Sequence, residues 1–287
     1  MIPDRRPTAL VTGGIGGFGL ALARLLVARD FNVALADLDV ERGRTVAEEL
    51  DVLFVPLDVG DLAANHRAVA LVEAHYDALD AVFLNAGILG QQDPSEPLDM
   101  QAYEAIVSAN QHGVVYGIDA AVPALRRSEG GRIVVTASLA GLVPMSGDPA
   151  YSMTKSAALA YSRAMAQRLV DEGITVSVVC PGFADTPMLG SLRPAFQEAG
   201  FPILTAAEVA AGLLLAHDEG EAGSAYIVQP GLSPTPYRFR NVPAARDAAG
   251  VSVAVPAGLS AHSVDPTSSP GLLTRPPANS PGEGVAE

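Results

Sequence analysis

The sequence predicts an α/β fold: a doubly wound parallel sheet of seven strands with helices on both faces, folded as a single domain. Two observations carry this. Short apolar runs alternate with helical stretches along most of the 287 residues, a rhythm that produces right-handed strand–helix–strand units and a parallel sheet. Small residues dominate, with 28 glycines and only 5% aromatics, which suits helices pressed closely onto a sheet buried on both sides.

The first strand is expected at Thr8–Val11, running into the turn Thr12-Gly-Gly-Ile-Gly-Gly-Phe-Gly19. The helix after it places Leu22, Leu25, Leu26 and Ala28 near one face. A second strand, Asn32–Ala36, ends at Asp37, and helical sequence follows from about Val40 to Leu50. A third, Leu53–Leu57, ends at Asp58-Val59. A helix over roughly Leu62–His75 leads to the fourth, Ala81–Leu84, which ends in Asn85-Ala86-Gly87. One long helix is expected over about Met100–Arg127. The fifth strand, Arg132–Thr136, ends at Ser138. The helix bearing Tyr151 and Lys155 continues to about Val170, and the sixth strand, Ile174–Val179, runs into Cys180-Pro181-Gly182. Ala206–His217 reads as helix and Ala225–Val228 as the seventh strand. After Gly231 the composition changes: nine of the 22 prolines follow Ser233, and no apolar period survives. The domain is therefore expected over residues 7–231. Residues 232–287 read as a flexible Pro/Ala/Ser-rich extension, in which Tyr237-Arg-Phe-Arg240 to about Arg246 is suited to docking on the body or on a neighbouring subunit.

Charge and composition exclude several function classes. A formal net charge of −14 repels phosphate backbones and argues against nucleic acid. No apolar run approaches the roughly 18 residues a membrane span needs. Arg5-Arg6 precedes too short an apolar run for an export signal, so a first strand is the better reading there. Cys180 has no partner for an internal disulfide, in keeping with a reducing cytoplasm; it reads as a small buried strand residue. His66, His75, His112, His217 and His262 show no paired ligand spacing, so no metal is expected.

Tyr151-Ser-Met-Thr-Lys155 singles itself out. Lys155 is the only lysine in the chain, every other basic side chain being arginine. Four residues is just over one helical turn, so both side chains act on one small volume. Lysine there offers a compact point charge that the guanidinium fork does not replace.

The glycine turn suits a dinucleotide. Gly13, Gly17 and Gly19, with Phe18 between them, lie between strand and helix, where glycine lets the backbone approach a pyrophosphate and the helix N-terminus offers free N–H groups. Asp37 ends the next strand, 18 residues past Gly19. A carboxylate there accepts bonds from both ribose hydroxyls of NAD and repels the additional phosphate of NADP. Leu38 follows it, and no basic residue lies between Gly13 and Gly19, so NAD is favoured over NADP. Asp37 would otherwise cap a helix, a task Asp39 suits better. Asp58 and Val59 close the third strand at the same edge, either beside the adenine or, for Asp58, as a turn residue before Gly60.

Taken together, Thr12-Gly-x-x-x-Gly17-x-Gly19, Asn85-Ala86-Gly87, Asn110, Ser138, Tyr151-x-x-x-Lys155 and Pro181-Gly182 resemble the classical short-chain dehydrogenase/reductases in order and spacing, over about residues 7–231. The resemblance implies a Rossmann-type fold and a set of roles. Tyr151 would be the catalytic acid/base and Ser138 would orient the substrate oxygen. Lys155 would bind the nicotinamide ribose and lower the tyrosine pKa. Asn110 would hold a water linking Lys155 to solvent. Asn85, Ala86 and Gly87 would border the cofactor, and Pro181, Gly182 and Thr186 would hold the nicotinamide carboxamide. It implies a homodimer or homotetramer pairing the helices near 100–127 and 151–170, and is silent on the extension past Gly231.

The implied chemistry is interconversion of a secondary alcohol and a ketone. A free tyrosine, with a pKa of about 10, is a poor base at neutrality, and the Lys155 ammonium and a positive nicotinamide ring favour its phenolate. Between Gly182 and Leu204 the residues Phe183, Met188, Leu189, Leu192, Phe196, Phe201 and Ile203 read as an apolar lid or as an ordinary amphipathic helix. Val143, Pro144 and Met145 add another apolar wall. A lipophilic alcohol or ketone substrate follows. Two alternatives stand beside this reading: a biosynthetic carbonyl reductase using NAD(P)H, and a non-catalytic dinucleotide sensor, which would be expected to lose Tyr151 or Lys155.

Overall fold

The computed structural model describes residues 5–90, 96–240 and 245–253. Its first strand, β1 (Thr8–Thr12), is buried along its whole length. Helix α1 (Gly17–Ala28) leads to β2 (Asn32–Asp37), then α2 (Val40–Leu50), β3 (Leu53–Pro56), α3 (Leu62–Tyr76) and β4 (Ala81–Leu84). The second half supplies α4 (Met100–Val107), α5 (Gly113–Arg127), β5 (Gly131–Thr136), α6 (Pro149–Leu169) and β6 (Ile174–Pro181), followed by α7 (Arg193–Glu198), α8 (Ala206–Glu219) and β7 (Ala225–Val228). Local chemistry starts most of these helices: Asp39, Asp61, Asp99 and Asp148 cap α2, α3, α4 and α6, and Thr205 with Glu208 forms a capping box on α8.

The strands lie in the order β3-β2-β1-β4-β5-β6-β7, with β8 (Thr235–Pro236) added at the end. All pairs are parallel except β7 with β8. The chain reverses its winding between β1 and β4, which brings the carboxyl ends of β1 and β4 together at the place where open α/β sheets bind ligands. Register keeps that edge level: Thr12 stands beside Ala36 and Leu84, and Thr136 beside Val179. Leu22 and Leu26 of α1 and Val209 and Leu213 of α8 cover one sheet face, against Val11, Phe83 and Val134.

Two expectations change. The sheet has eight strands where seven were expected; β8 is only two residues long and contains a proline, so no alternation marks it. The expected helix over Met100–Arg127 is interrupted by a π segment, Ser108–His112, in which the Gly113 amide reaches back to the Ser108 carbonyl. The chain divides into two compact units, Met1–Tyr237 and Arg238–Glu287. In the second unit Arg246 and Ser252 form an antiparallel bridge, and the Asp247 carboxylate accepts from the amides of Ala249 and Val251. The expectation of flexibility beyond residue 253 lies outside the described residues. Among the described residues no helix is long and apolar enough to cross a membrane.

Candidate active site

One asparagine joins three strand ends. The Asn85 side-chain amide donates to the carbonyls of Thr12 at 3.2 Å and Gly13 at 3.3 Å, and its oxygen accepts from the Thr136 hydroxyl at 3.2 Å. The Thr12 hydroxyl accepts from the amides of Asn85 and Ala86 at 3.0 and 3.2 Å. The Thr136 carbonyl in turn accepts from Lys155 Nζ at 3.0 Å. A continuous hydrogen-bonded path thus runs from the glycine turn to the lysine.

The turn itself is shaped for close approach. Gly13 has φ +60°, and a Cβ on it would stand 2.9 Å from Ala86 Cα; one on Gly19 would stand 2.2 Å from the Gly13 carbonyl oxygen. Gly16 caps α1 without any side-chain bond, and the first turn carries no acidic residue. The helix N-terminus is therefore left with unpaired donors, as an anion site requires. Asp37 Oδ2 accepts from Ile15 N at 3.4 Å and Oδ1 from Leu38 N at 2.8 Å, so the carboxylate sits against the turn, while Asp39 caps α2 through Arg42 N. No ion pair among the described residues reaches Asp37. Asp58 is engaged in its own turn, accepting from Gly60 N at 2.9 Å, with Val59 buried beneath it. Thr186 packs across the turn: a Cβ on Gly17 would lie 3.0 Å from its methyl group. Gly182 N donates to the Val228 carbonyl at 2.9 Å, fixing the Pro181–Gly182 corner. These features fit a nicotinamide dinucleotide along the carboxyl edge.

Tyr151 and Lys155 share the buried face of α6, with Lys155 Nζ 5.7 Å from the Tyr151 ring centroid. Burial pushes the Tyr151 phenol up; a hydrogen bond with Ser138 opposes this, and the negative charge of Asp148 adds to it. Burial also pulls the Lys155 ammonium down to about 8. The resemblance implies that Lys155 and a positive nicotinamide ring together favour the phenolate; in the protein alone, burial is the largest influence and holds the phenol above its ordinary value. Burial pushes the Cys180 thiol up to about 12, which leaves it unreactive. Asn110 sits in the π segment, fully buried. Its oxygen accepts from Ile88 N at 2.8 Å, and its amide donates to Ile88 O at 2.9 Å and Thr154 Oγ1 at 3.1 Å. Its side chain is thus committed to the protein around Gly87, where a Cβ would come within 2.9 Å of Asn110 Oδ1 and 3.2 Å of Lys155 Nζ. His112 stacks on Tyr116.

A cavity of about 380 Å³ opens at this edge, with Ser138 and Tyr151 in its wall. Its surface is otherwise mainly apolar: Phe18, Leu89, Val143, Pro144, Met145, Phe183 and Leu189 contribute. Phe183, Phe196 and Phe201 pack on one another, with centroids 4.6 to 6.1 Å apart, and Arg193 pairs with Asp185 across the same segment. The side chains of Met188 and Leu192 lie outside the described ones. Three residues that the sequence does not mark as functional belong to the site: Thr136, Thr154 and Asp148. Thr136 and Thr154 read as ordinary strand and helix positions, and only an Asp three residues before a helical tyrosine hinted at Asp148. Among the described residues no group of three metal-binding side chains is gathered.

The family model described as short chain dehydrogenase matches residues 7–197. The cyclohexanol dehydrogenase of an Acinetobacter species is 30% identical over 236 residues, which cover 77% of this chain and 92% of that protein. The mouse (Mus musculus) 15-hydroxyprostaglandin dehydrogenase [NAD(+)] is 34% identical over 194 residues, 64% of this chain and 70% of the other. The crystal structure of levodione reductase superposes with a TM-score of 0.71 at 25% identity, covering 80% of this chain and 98% of that one. With a sheet wound in this order and a tyrosine–lysine pair at its carboxyl edge, the chain belongs to the short-chain dehydrogenase family, oxidoreductases that act on CH–OH groups through a nicotinamide dinucleotide.

Proposed function

We propose that the protein is an NAD-dependent dehydrogenase of lipophilic, compact secondary alcohols, with Tyr151 as acid/base. The observation that carries this is the buried Tyr151 at the wall of an apolar cavity, one helical turn from the only lysine. Ser138 orients the substrate oxygen toward the Tyr151 hydroxyl. Tyr151 takes the hydroxyl proton in oxidation and returns it in reduction, while the Thr136 carbonyl, accepting from Nζ, fixes the Lys155 ammonium beside it. A nicotinamide dinucleotide bound along the glycine turn supplies the hydride acceptor or donor. Gly13, Gly17, Phe18 and Gly19 would receive its pyrophosphate, Asp37 and Leu38 its adenosine ribose, Asp58 and Val59 its adenine. Asn85, Ala86, Gly87, Pro181, Gly182 and Thr186 would hold the nicotinamide end, and Asn110 would hold a water linking Lys155 to solvent. The preference for NAD rests on Asp37, whose carboxylate no cation among the described residues pairs with. The cyclic alcohol named for the Acinetobacter relative supports the substrate class. The reading extends to a cytoplasmic homodimer or homotetramer, supported by the unpaired Cys180 and by the family resemblance.

A second reading, ketone reduction as the working direction, draws on the protonated state of Tyr151, since an acid that keeps its proton at neutrality suits delivery to a carbonyl. The test is a panel of alcohols and ketones followed by NADH absorbance with NAD and NADP side by side. The proposal expects higher kcat/KM for cyclohexanol-like alcohols than for polyols, and tighter binding of NADH than NADPH. Preference for sugars, or tighter NADPH, would overturn it.

A further inference from the structure

Asp148 does more than a helix cap requires. Its Oδ1 accepts from the Tyr151 amide at 2.9 Å, and the residue is only 8% exposed. Serine or asparagine caps a helix as well as aspartate does without burying a charge. No ion pair among the described residues reaches Asp148. The second oxygen accounts for the choice: Oδ2 accepts from the Gly90 amide at 2.9 Å, across 58 residues of chain. The approach is close: a Cβ on Gly90 would lie 2.8 Å from Asp148 Oδ1, so an alanine there must displace the carboxylate or the wall.

Gly90 adjoins Leu89, which lines the cavity. On the other side the Asp148 amide donates to the Met145 carbonyl at 3.3 Å, and the Met145 amide donates to Ser152 Oγ at 2.8 Å. Met145 also lines the cavity, and both Leu89 and Met145 pack on the cluster of Ile106, Ala140 and Tyr151. Both apolar walls are thus bonded to the first turn of the helix that carries Tyr151.

We propose that Asp148 is a positioning residue that sets the width of the substrate cavity by binding the Leu89–Gly90 wall to the first turn of α6, so that the site selects compact apolar alcohols. This rests on the cavity being the alcohol site. The amide-to-carboxylate bond is charge-assisted, and such bonds are shorter and stronger than neutral ones; a buried wall held by one is held in one place.

Two variants test it from opposite sides. Asp148→Ser keeps an oxygen for the Tyr151 amide but is too short to reach Gly90 as well. Gly90→Ala keeps the Asp148 side chain but crowds its contact with the wall, forcing carboxylate and wall apart. Hydrogen exchange of the Gly90 amide, NADH dissociation constants and steady-state kinetics with cyclohexanol and with 2-octanol are compared with the parent protein. In Asp148→Ser the Gly90 amide should exchange at least about tenfold faster, as expected for a lost buried hydrogen bond. In both variants KM for cyclohexanol should rise about tenfold, kcat should change by less than about threefold, 2-octanol should suffer less, and NADH affinity should stay within about twofold. Unchanged Gly90 exchange in Asp148→Ser overturns the tether. A parallel loss of NADH binding and of turnover of both alcohols makes Asp148 a general support and overturns the selection. If the parent protein oxidises neither alcohol, the alcohol reading of the cavity fails separately and takes the selection with it, while Gly90 exchange still decides the tether.

Discussion

At the scale of single residues, dryness decides the chemistry. Tyr151 is pushed up and Lys155 down to about 8 by the same burial, so each favours its neutral form as the pH moves toward the other's range. Oxidation needs the phenolate, which gains as pH rises. Reduction needs the phenol, which is present through neutrality and is lost as pH climbs past the raised pKa. The kcat/KM for alcohol oxidation should therefore increase from pH 7 to pH 9 while that for ketone reduction holds or falls, and a flat oxidation profile would remove Tyr151 as the base. Tyr151→Phe should lower turnover about a thousandfold, within the span of general acid–base effects, with NADH affinity unchanged in a fluorescence titration. Both residues were legible because four-residue spacing and a solitary lysine are local facts. Asp148 was not, because its second bond goes to a residue 58 positions away, and nothing near it in the chain announces that partner.

Among the elements, the three strand ends gathered by Asn85 hold the site in register. Asn85→Ala would strand the Thr136 hydroxyl and remove the two bonds to the glycine turn. We expect a loss of about 2–4 kcal/mol, read as a lower urea midpoint at constant slope, together with weaker NADH binding. The strands themselves were legible, since each core strand is a short apolar run, and five of them, β2 to β6, are closed by Asp, Asn, Ser or Pro-Gly. The π segment at Ser108–His112 was not: one residue wound into a wider turn hardly alters an apolar period of 3.6, so the sequence reads as one long helix. The second strand of the closing antiparallel pair, Thr235–Pro236, is too short for any period.

Over the whole molecule, a net charge of −14 means that the surface repels itself, and screening should relieve it. Raising salt from about 10 mM, where the Debye length is about 30 Å, to about 100 mM, where it is about 10 Å, should raise the melting temperature measured by calorimetry; a fall would show that the exposed Arg–Asp and Arg–Glu pairs dominate. The acidic composition was plain in the sequence, whereas the course of the chain beyond Tyr237 was not, because Pro, Ala and Ser carry no period to read. One count over the whole chain has a practical side. The sole lysine is 4% exposed, so apart from the amino terminus the folded protein offers amine-directed reagents almost nothing. A sample grown on isotope-labelled lysine should give a single side-chain nitrogen resonance, and that one signal would report the charge state at the catalytic edge with no background from the rest of the molecule.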